Sequence, residues 1–191
     1  DFDELQAMND EVYAWIEVPG TVINYAVVQS ATDDLFYINH AVDKSYFSGG
    51  SIFSQRYNTT TFQDSMTVLY GHNSRSQAMF AQLNNFADAS FFEQNQSIYI
   101  YTPEKVYEYQ IFAAYPHSSD HLLLCNDFND PEQFAAYFDS LADGVNCNYR
   151  RDLFPQFGDK VLTLSTCYRQ NRTQRFLVQG VLTQEYTVLK K

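Results

Sequence analysis

Cys167 ends the run Val161-Leu162-Thr163-Leu164-Ser165-Thr166, and a polar, basic segment follows it, Tyr168-Arg169-Gln170-Asn171-Arg172-Thr173-Gln174-Arg175. A thiol at the mouth of a loop with cationic side chains nearby is placed as a nucleophile, because positive charge favours the thiolate. Acyl transfer by such a thiol needs two partners: a group that moves protons and a donor for the oxyanion. Of the four histidines, His72 suits the first role best. It stands just past the run Met66-Thr67-Val68-Leu69-Tyr70 and next to Gly71, so a strand end would hold it as another holds Cys167. His40 lies in a polar loop, and His117 and His121 flank the turn-forming Ser118-Ser119-Asp120. Arg175 suits the second role. It opens the run Phe176–Leu182, where backbone pairing would fix its planar fork of N–H donors; Arg169 and Arg172 belong to the loop. Taken alone, Cys167 reads as a small apolar residue of the core, and only these partners argue otherwise.

The elements that must hold these side chains are legible from periodicity. Val161–Thr166, Phe176–Leu182 and Met66–Tyr70 are apolar runs of strand length. Ser97–Tyr101 and Val106–Phe112 alternate at period two around Thr102-Pro103-Glu104-Lys105, a hairpin signal. Two strand-like runs flank Pro19-Gly20 between Trp15 and Val28 and predict a hairpin or tight corner. Phe2, Leu5, Met8, Val12 and Trp15 recur at helical spacing, predicting an amphipathic N-terminal helix over residues 1–15 capped by Asp1 or Asp3. A second helix is expected around Met79, Phe80, Leu83 and Phe86. A third is expected from Pro131, behind the N-cap Asp130, to Asp143-Gly144. Strands outnumber helices and their connections suit antiparallel pairing. The expected fold is mainly β with peripheral helices, a barrel or curled sheet rather than βαβ units.

Composition narrows the function. A formal net charge of −11 argues against nucleic-acid binding, which needs a basic surface. No run of about 20 apolar residues is present to span a bilayer, and no signal-peptide pattern is seen. The start at Asp1 without a methionine raises the expectation of a trimmed ectodomain whose targeting segment lies elsewhere. Cys125, Cys147 and Cys167 are odd in number; a Cys125–Cys147 pair would leave Cys167 free, and that pairing stays open. Their spacing matches no zinc pattern, so neither a metal nor a cofactor is expected.

Together these residues resemble a known family. Thr163-Leu164-Ser165-Thr166-Cys167, with Arg175 at the head of the next strand, resembles the active-site signature of sortases, the cysteine transpeptidases of Gram-positive cell surfaces. Tyr70-Gly71-His72-Asn73 is similar to the family's histidine motif, and Trp15-Ile16-Glu17-Val18-Pro19-Gly20-Thr21-Val22-Ile23 to its first barrel strands. The N-terminal helix, the helix before the cysteine strand, Tyr37-Ile38-Asn39-His40 and Ser51-Ile52-Phe53 look like class B. No Asp-Pro-aromatic lid motif of the pilus-building class C is seen.

The resemblance implies one catalytic domain over residues 1–191, a sortase-like closed barrel of about eight strands with the helix of residues 1–15 packed on it. It implies that Cys167 attacks a C-terminal sorting motif of secreted proteins, of the Asn-Pro type that class B enzymes tend to prefer, and forms a thioacyl-enzyme. His72 would move the protons and Arg175 would hold the oxyanion. The acyl group would pass to an amine of a peptidoglycan precursor or to a pilin lysine. Tyr70, Ser165, Thr166 and Tyr168 would line the substrate groove, walled by the loop Tyr168–Gln174 and the helix near Pro131–Asp143. Tyr168 departs from the family, in which an acidic residue commonly follows the cysteine. The implied location is the outer face of a Gram-positive membrane, with attachment through a segment absent from this chain. A papain-type hydrolase would place its cysteine early, on a helix, with the histidine downstream, the reverse of the order here. A non-catalytic secreted β-barrel binding module is the remaining alternative.

Overall fold

Burial alternates at period two from Val12, and the barrel begins there. In the computed structural model, which describes residues 1–144 and 146–189, Val12, Ala14 and Ile16 are fully buried between the more exposed Tyr13, Trp15 and Glu17. They form β1 (Val12–Glu17). The helix α1 is shorter than the expected 1–15. It spans Phe2–Met8, with the Asp1 carboxylate accepting from the N–H groups of Asp3 and Glu4. Spacing at Val12 and Trp15 fits either period, and pairing decides it. β1 runs antiparallel to β2 (Asn24–Val28) on one side and to β5 (Ser97–Tyr101) on the other, which a helix could not do. Gly20, at φ +83°, turns the β1–β2 hairpin.

The remaining strands are β3 (Ile52–Phe53), β4 (Met66–Tyr70), β6 (Lys105–His117), β7 (Asn148–Tyr149), β8 (Val161–Cys167) and β9 (Arg175–Thr187). Around the barrel the order is β5, β1, β2, β3, β4, β8, β9, β6, and β6 pairs back to β5. Eight strands therefore close the sheet and leave no open edge within it. The short β7 pairs with β6 at Ala113 and Ala114, beyond the end of β5. The expected antiparallel connections hold for most neighbours, but β2–β3 and β4–β8 are parallel. The long chain between β4 and β8 supplies the crossover that a parallel pair needs.

Two apolar layers pack on this sheet. Inside the barrel, Ile16, Ile98, Ile111, Leu162, Leu164, Phe176 and Val178 meet Phe80, Leu83, Phe86 and Phe92. Phe80 caps a 3-10 turn (Ala81–Ala87) that carries Leu83 and Phe86, and Phe92 comes from the short helix α2 (Ala89–Gln94), in place of the one expected helix. Outside, after the single turn α3 (Leu122–Cys125), α4 (Pro131–Leu141) lays Phe134, Phe138 and Leu141 against Val68, Phe112, Val161 and Leu177. The Asp130 carboxylate caps α4 through the N–H groups of Glu132 and Gln133. β8 is thus covered on both faces, which is why its sequence reads as a continuous apolar run.

Candidate active site

The two ladders of β8 assemble the site. On one side β8 runs antiparallel to β9, from Val161↔Val181 to Cys167↔Arg175. The loop between the strands has the length that returns Arg175 opposite Cys167. There the Arg175 Nη1–H donates to Cys167 Sγ at 3.3 Å. On the other side β8 runs parallel to β4, from Met66↔Val161 to Tyr70↔Ser165. Parallel strands leave the sheet at the same end. The Gly71 N–H continues the ladder to the Ser165 carbonyl at 3.2 Å, and the Thr166 hydroxyl donates to the Gly71 carbonyl at 2.8 Å. His72 follows Tyr70 by two residues, as Cys167 follows Ser165, so both emerge at one rim.

His72, Cys167 and Arg175 line a cleft of about 90 Å³ together with Tyr70, Ser165, Thr166 and Ile38. His72 Nε2 lies 2.5 Å from the Ile38 carbonyl. A carbonyl only accepts, so Nε2 carries a hydrogen and Nδ1 is left to exchange protons. Ile38 arrives on the 3-10 turn Phe36–Ile38. That turn is held through Tyr37, whose hydroxyl donates to Glu11 Oε2 at 2.5 Å and accepts from Asn9 Nδ2 at 2.7 Å. Glu11 Oε1 also accepts from the Ala31 N–H at 2.8 Å, and Lys44 Nζ stands 3.2 Å from Oε2. Burial pushes the Glu11 carboxyl upward, but these donors outweigh it and hold it below the usual glutamate range.

The rim contains residues to which the sequence assigned no role of their own. Asn73 Nδ2 donates to the Cys167 carbonyl at 2.9 Å and Asn84 Nδ2 to the same oxygen at 3.3 Å. The Asn84 Oδ1 accepts the Arg169 N–H at 2.7 Å. A buried Asn84 among Ala81, Leu83 and Phe86 was the available signal, since a buried amide in an apolar stretch must have partners. Tyr70 stacks on Phe53 with centroids 5.5 Å apart. Burial, opposed by the Arg175 charge, pushes its hydroxyl up to about 12, so it stays a neutral O–H.

Two expected groove elements lie elsewhere. Tyr168 is buried and stacks on Phe176, with centroids 5.3 Å apart, and so belongs to the barrel core; its N–H is bound to the Gln174 carbonyl at 3.0 Å. The next side chain out of a strand end had a choice of faces, and an aromatic ring beside an apolar interior takes the buried one. α4 lies on the outer layer and lines no part of this cleft. The other histidines do not line this cleft, although His117 is the β6 partner of Arg175 and, with His121, lines an adjoining pocket that reaches Tyr70, Ser165 and Arg175. His40 stacks on Phe36 at 4.0 Å, His121 Nε2 meets Gln55 Oε1 at 2.7 Å, and His117 is bound to the neighbouring Ser118 carbonyl. Cys125 and Cys147 are free thiols; burial pushes Cys147 up to about 11. Among the described residues no group of three or more His, Cys, Asp or Glu could hold a metal ion, and no helix is long and apolar enough to cross a membrane.

A closed barrel that gathers a thiol, an imidazole and a guanidinium on one rim defines a class, the cysteine transpeptidases of sortase type. The chain belongs to the sortase family: the family's sortase domain matches residues 16–183. It is a sortase transpeptidase, and it is class B-like. It is 29% identical over 181 residues to Sortase B of Listeria monocytogenes, covering 94% of this chain and 72% of that protein. It is 28% identical over 166 residues to Sortase B of Staphylococcus aureus, covering 87% and 67%. Among solved structures, sortase B of Clostridium perfringens matches with a TM-score of 0.86 at 30% identity, covering 96% of this chain and 100% of the other. A Streptococcus pyogenes class B sortase involved in pilus biogenesis matches with a TM-score of 0.83 at 29% identity, covering 96% and 98%.

Proposed function

We propose that this sortase cleaves a C-terminal sorting motif of secreted proteins and joins the new carboxyl end to an amine of a cell-wall precursor, with Cys167, His72 and Arg175 as its catalytic residues. The observation that carries the assignment is the Arg175 donor on Cys167 Sγ, opposite a histidine delivered by the parallel strand.

In this reading the Cys167 thiolate adds to the scissile carbonyl carbon, forming the C–S bond and moving charge onto the carbonyl oxygen. Arg175 meets that oxyanion; one such donor contributes roughly 3 kcal/mol, or a factor of about a hundred. The C–N bond then breaks as protonated His72 gives its proton to the leaving amine. The acceptor amine attacks the thioester, His72 takes back a proton, and the C–S bond breaks to free Cys167. Tyr70, Ser165 and Thr166 line the cleft and contact the motif. The same reading places the enzyme at the outer face of a Gram-positive membrane, attached through a segment outside residues 1–191. The curated relatives from Listeria and Staphylococcus support it.

Incubation with an Asn-Pro-motif peptide and an amine acceptor, followed by mass spectrometry, tests the proposal. Cleavage and ligation should occur and vanish in Cys167→Ala; equal activity in that variant would overturn the thiol mechanism. A second reading has a specific support. The similar S. pyogenes enzyme is involved in pilus biogenesis, so the acceptor amine here would be a pilin lysine, and polymeric products would distinguish it.

A further inference from the structure

The segment Tyr37-Ile38-Asn39-His40 meets the imidazole through one backbone atom. The Ile38 carbonyl accepts from His72 Nε2, and among the described residues no backbone N–H is bonded to it. A base needs a third group to orient it. Here that group is a carbonyl, whose aim depends on where its turn sits. Two sets of contacts fix the turn. Tyr37 is 1% exposed and Asn9 3%, and the Tyr37 hydroxyl accepts from Asn9 and donates to Glu11. Asn9 Nδ2 also donates to the Val42 carbonyl at 2.7 Å, and the Glu11 N–H donates to Asn9 Oδ1 at 3.0 Å. At the backbone, the Ser51 N–H donates to the Tyr37 carbonyl at 2.9 Å. Gly50 stands so close that a Cβ there would lie 2.6 Å from both the Tyr37 and the Ile38 oxygens.

A phenylalanine ring would fill the same space as Tyr37, so packing alone does not call for the hydroxyl. What the hydroxyl adds is direction. Buried polar groups cost free energy unless they are paired, and a fully paired network rigidifies one arrangement. This network is paired throughout: Glu11 Oε1 accepts from the Ala31 N–H, and Oε2 has both the Tyr37 hydroxyl and Lys44. Asn9 and Glu11 lie between α1 and β1. Neither they nor Tyr37 line the thiol cleft, whereas Ile38 does. Their route to the chemistry is the Ile38 carbonyl.

We propose that Tyr37, Glu11 and Asn9 are positioning residues for the transpeptidation: they set the Ile38 carbonyl on His72 Nε2, and that contact reserves Nδ1 as the nitrogen that gives a proton to the leaving amine and takes one from the acceptor. Both transfers occur at Nδ1, so the Nε2–H bond to Ile38 stays intact through the cycle. The junction of α1 and β1 is then part of the catalytic apparatus although it touches no substrate. The inference rests on His72 moving the protons.

The test compares Tyr37→Phe, which removes the hydroxyl and keeps the ring, with Glu11→Ala and with the control Asp43→Asn, whose carboxylate accepts from Ser45 on the same segment. Proton–nitrogen NMR of the neutral imidazole reads the tautomer of His72, and single-turnover kinetics with a donor peptide reads thioacylation. The unaltered enzyme and Asp43→Asn should show the Nε2–H tautomer and the same rate. In Tyr37→Phe the Nδ1–H form should appear and the maximal rate should fall by about tenfold, part of the roughly hundredfold that a misplacement of about 1 Å can cost. The half-saturating peptide concentration should stay within about twofold, the signature of a group that acts on the transition state rather than on binding. Glu11→Ala should behave alike; should it fail to fold, Tyr37→Phe decides alone, since there Glu11 keeps Ala31 and Lys44 and Asn9 keeps Val42. An unchanged tautomer in Tyr37→Phe, at any rate, overturns the positioning role alone. So does weaker half-saturation with the maximal rate kept, which would make the turn no more than a wall of the peptide cleft. Full activity in His72→Ala overturns the assignment of His72, and this proposal with it.

Discussion

Tyr70 and Ser165 are Cα partners in the parallel pair of β4 and β8. Continued two residues along each strand, that register brings His72 level with Cys167. The antiparallel partner strand adds Arg175 directly opposite Cys167. His72, distant in sequence, and Arg175, eight residues after Cys167, therefore owe their meeting with the thiol to two ladders on a single strand.

Arg175→Ala should lower the rate of thioacylation by about a hundredfold or more, the loss expected for an oxyanion donor. Arg172→Ala should cost far less in the same step, because Arg172 does not line the cleft shared by His72, Cys167 and Arg175. Single-turnover kinetics with a chromogenic donor peptide measures both. Equal losses would mean that the wrong arginine has been chosen.

His72→Ala should be nearly inactive with its fold intact, whereas His40→Ala, His117→Ala and His121→Ala keep activity. None of those three side chains lines the thiol cleft. A folded but inactive variant among them would displace His72 from its role.

Acid should loosen the turn that carries Ile38. The Glu11 carboxyl is held low in the folded protein, so its contribution to stability is fully present above the unfolded value of about 4.3 and is lost as pH falls through the lower folded value. Hydrogen exchange of amides in residues 30–50 should rise below about pH 4, and Glu11→Gln should flatten that dependence. A profile with the same slope in both proteins would show that Glu11 does not anchor the turn.

Tyr168→Ala should act on stability. Removing a buried aromatic side chain costs about 3–5 kcal/mol, so the denaturant midpoint should drop markedly. A variant with unchanged midpoint but raised KM for the donor peptide would return Tyr168 to the groove wall.

Much of this arrangement was legible because it depends on strand ends. The apolar runs before His72, through Thr166 and after Arg175 gave each side chain an anchor, and the hairpin at Thr102–Lys105 and the cap at Asp130 followed local chemistry. Pairing was harder to read. Nothing local marks β4 and β8 as parallel neighbours, since a buried run looks alike in either sense. Val12 and Trp15 fit two periods, and only partners on both sides of β1 chose between them. The Ile38 carbonyl is a backbone atom, common to every residue, and carries no signal of type. Tyr168 could have turned either way from the end of β8, and the room beside Phe176 decided it.

β8 is hydrogen-bonded along both edges, and this bears on how the chain can change length. Residues added to the crossover between β4 and β8 lengthen a connection and leave the rim as it was. A single residue inserted inside β8 after Val161 would turn the following side chains to the opposite face and shift Cys167 out of step with His72 and Arg175 at once. Length variation within this architecture is therefore free in its connections and forbidden in the seven residues that end at the thiol.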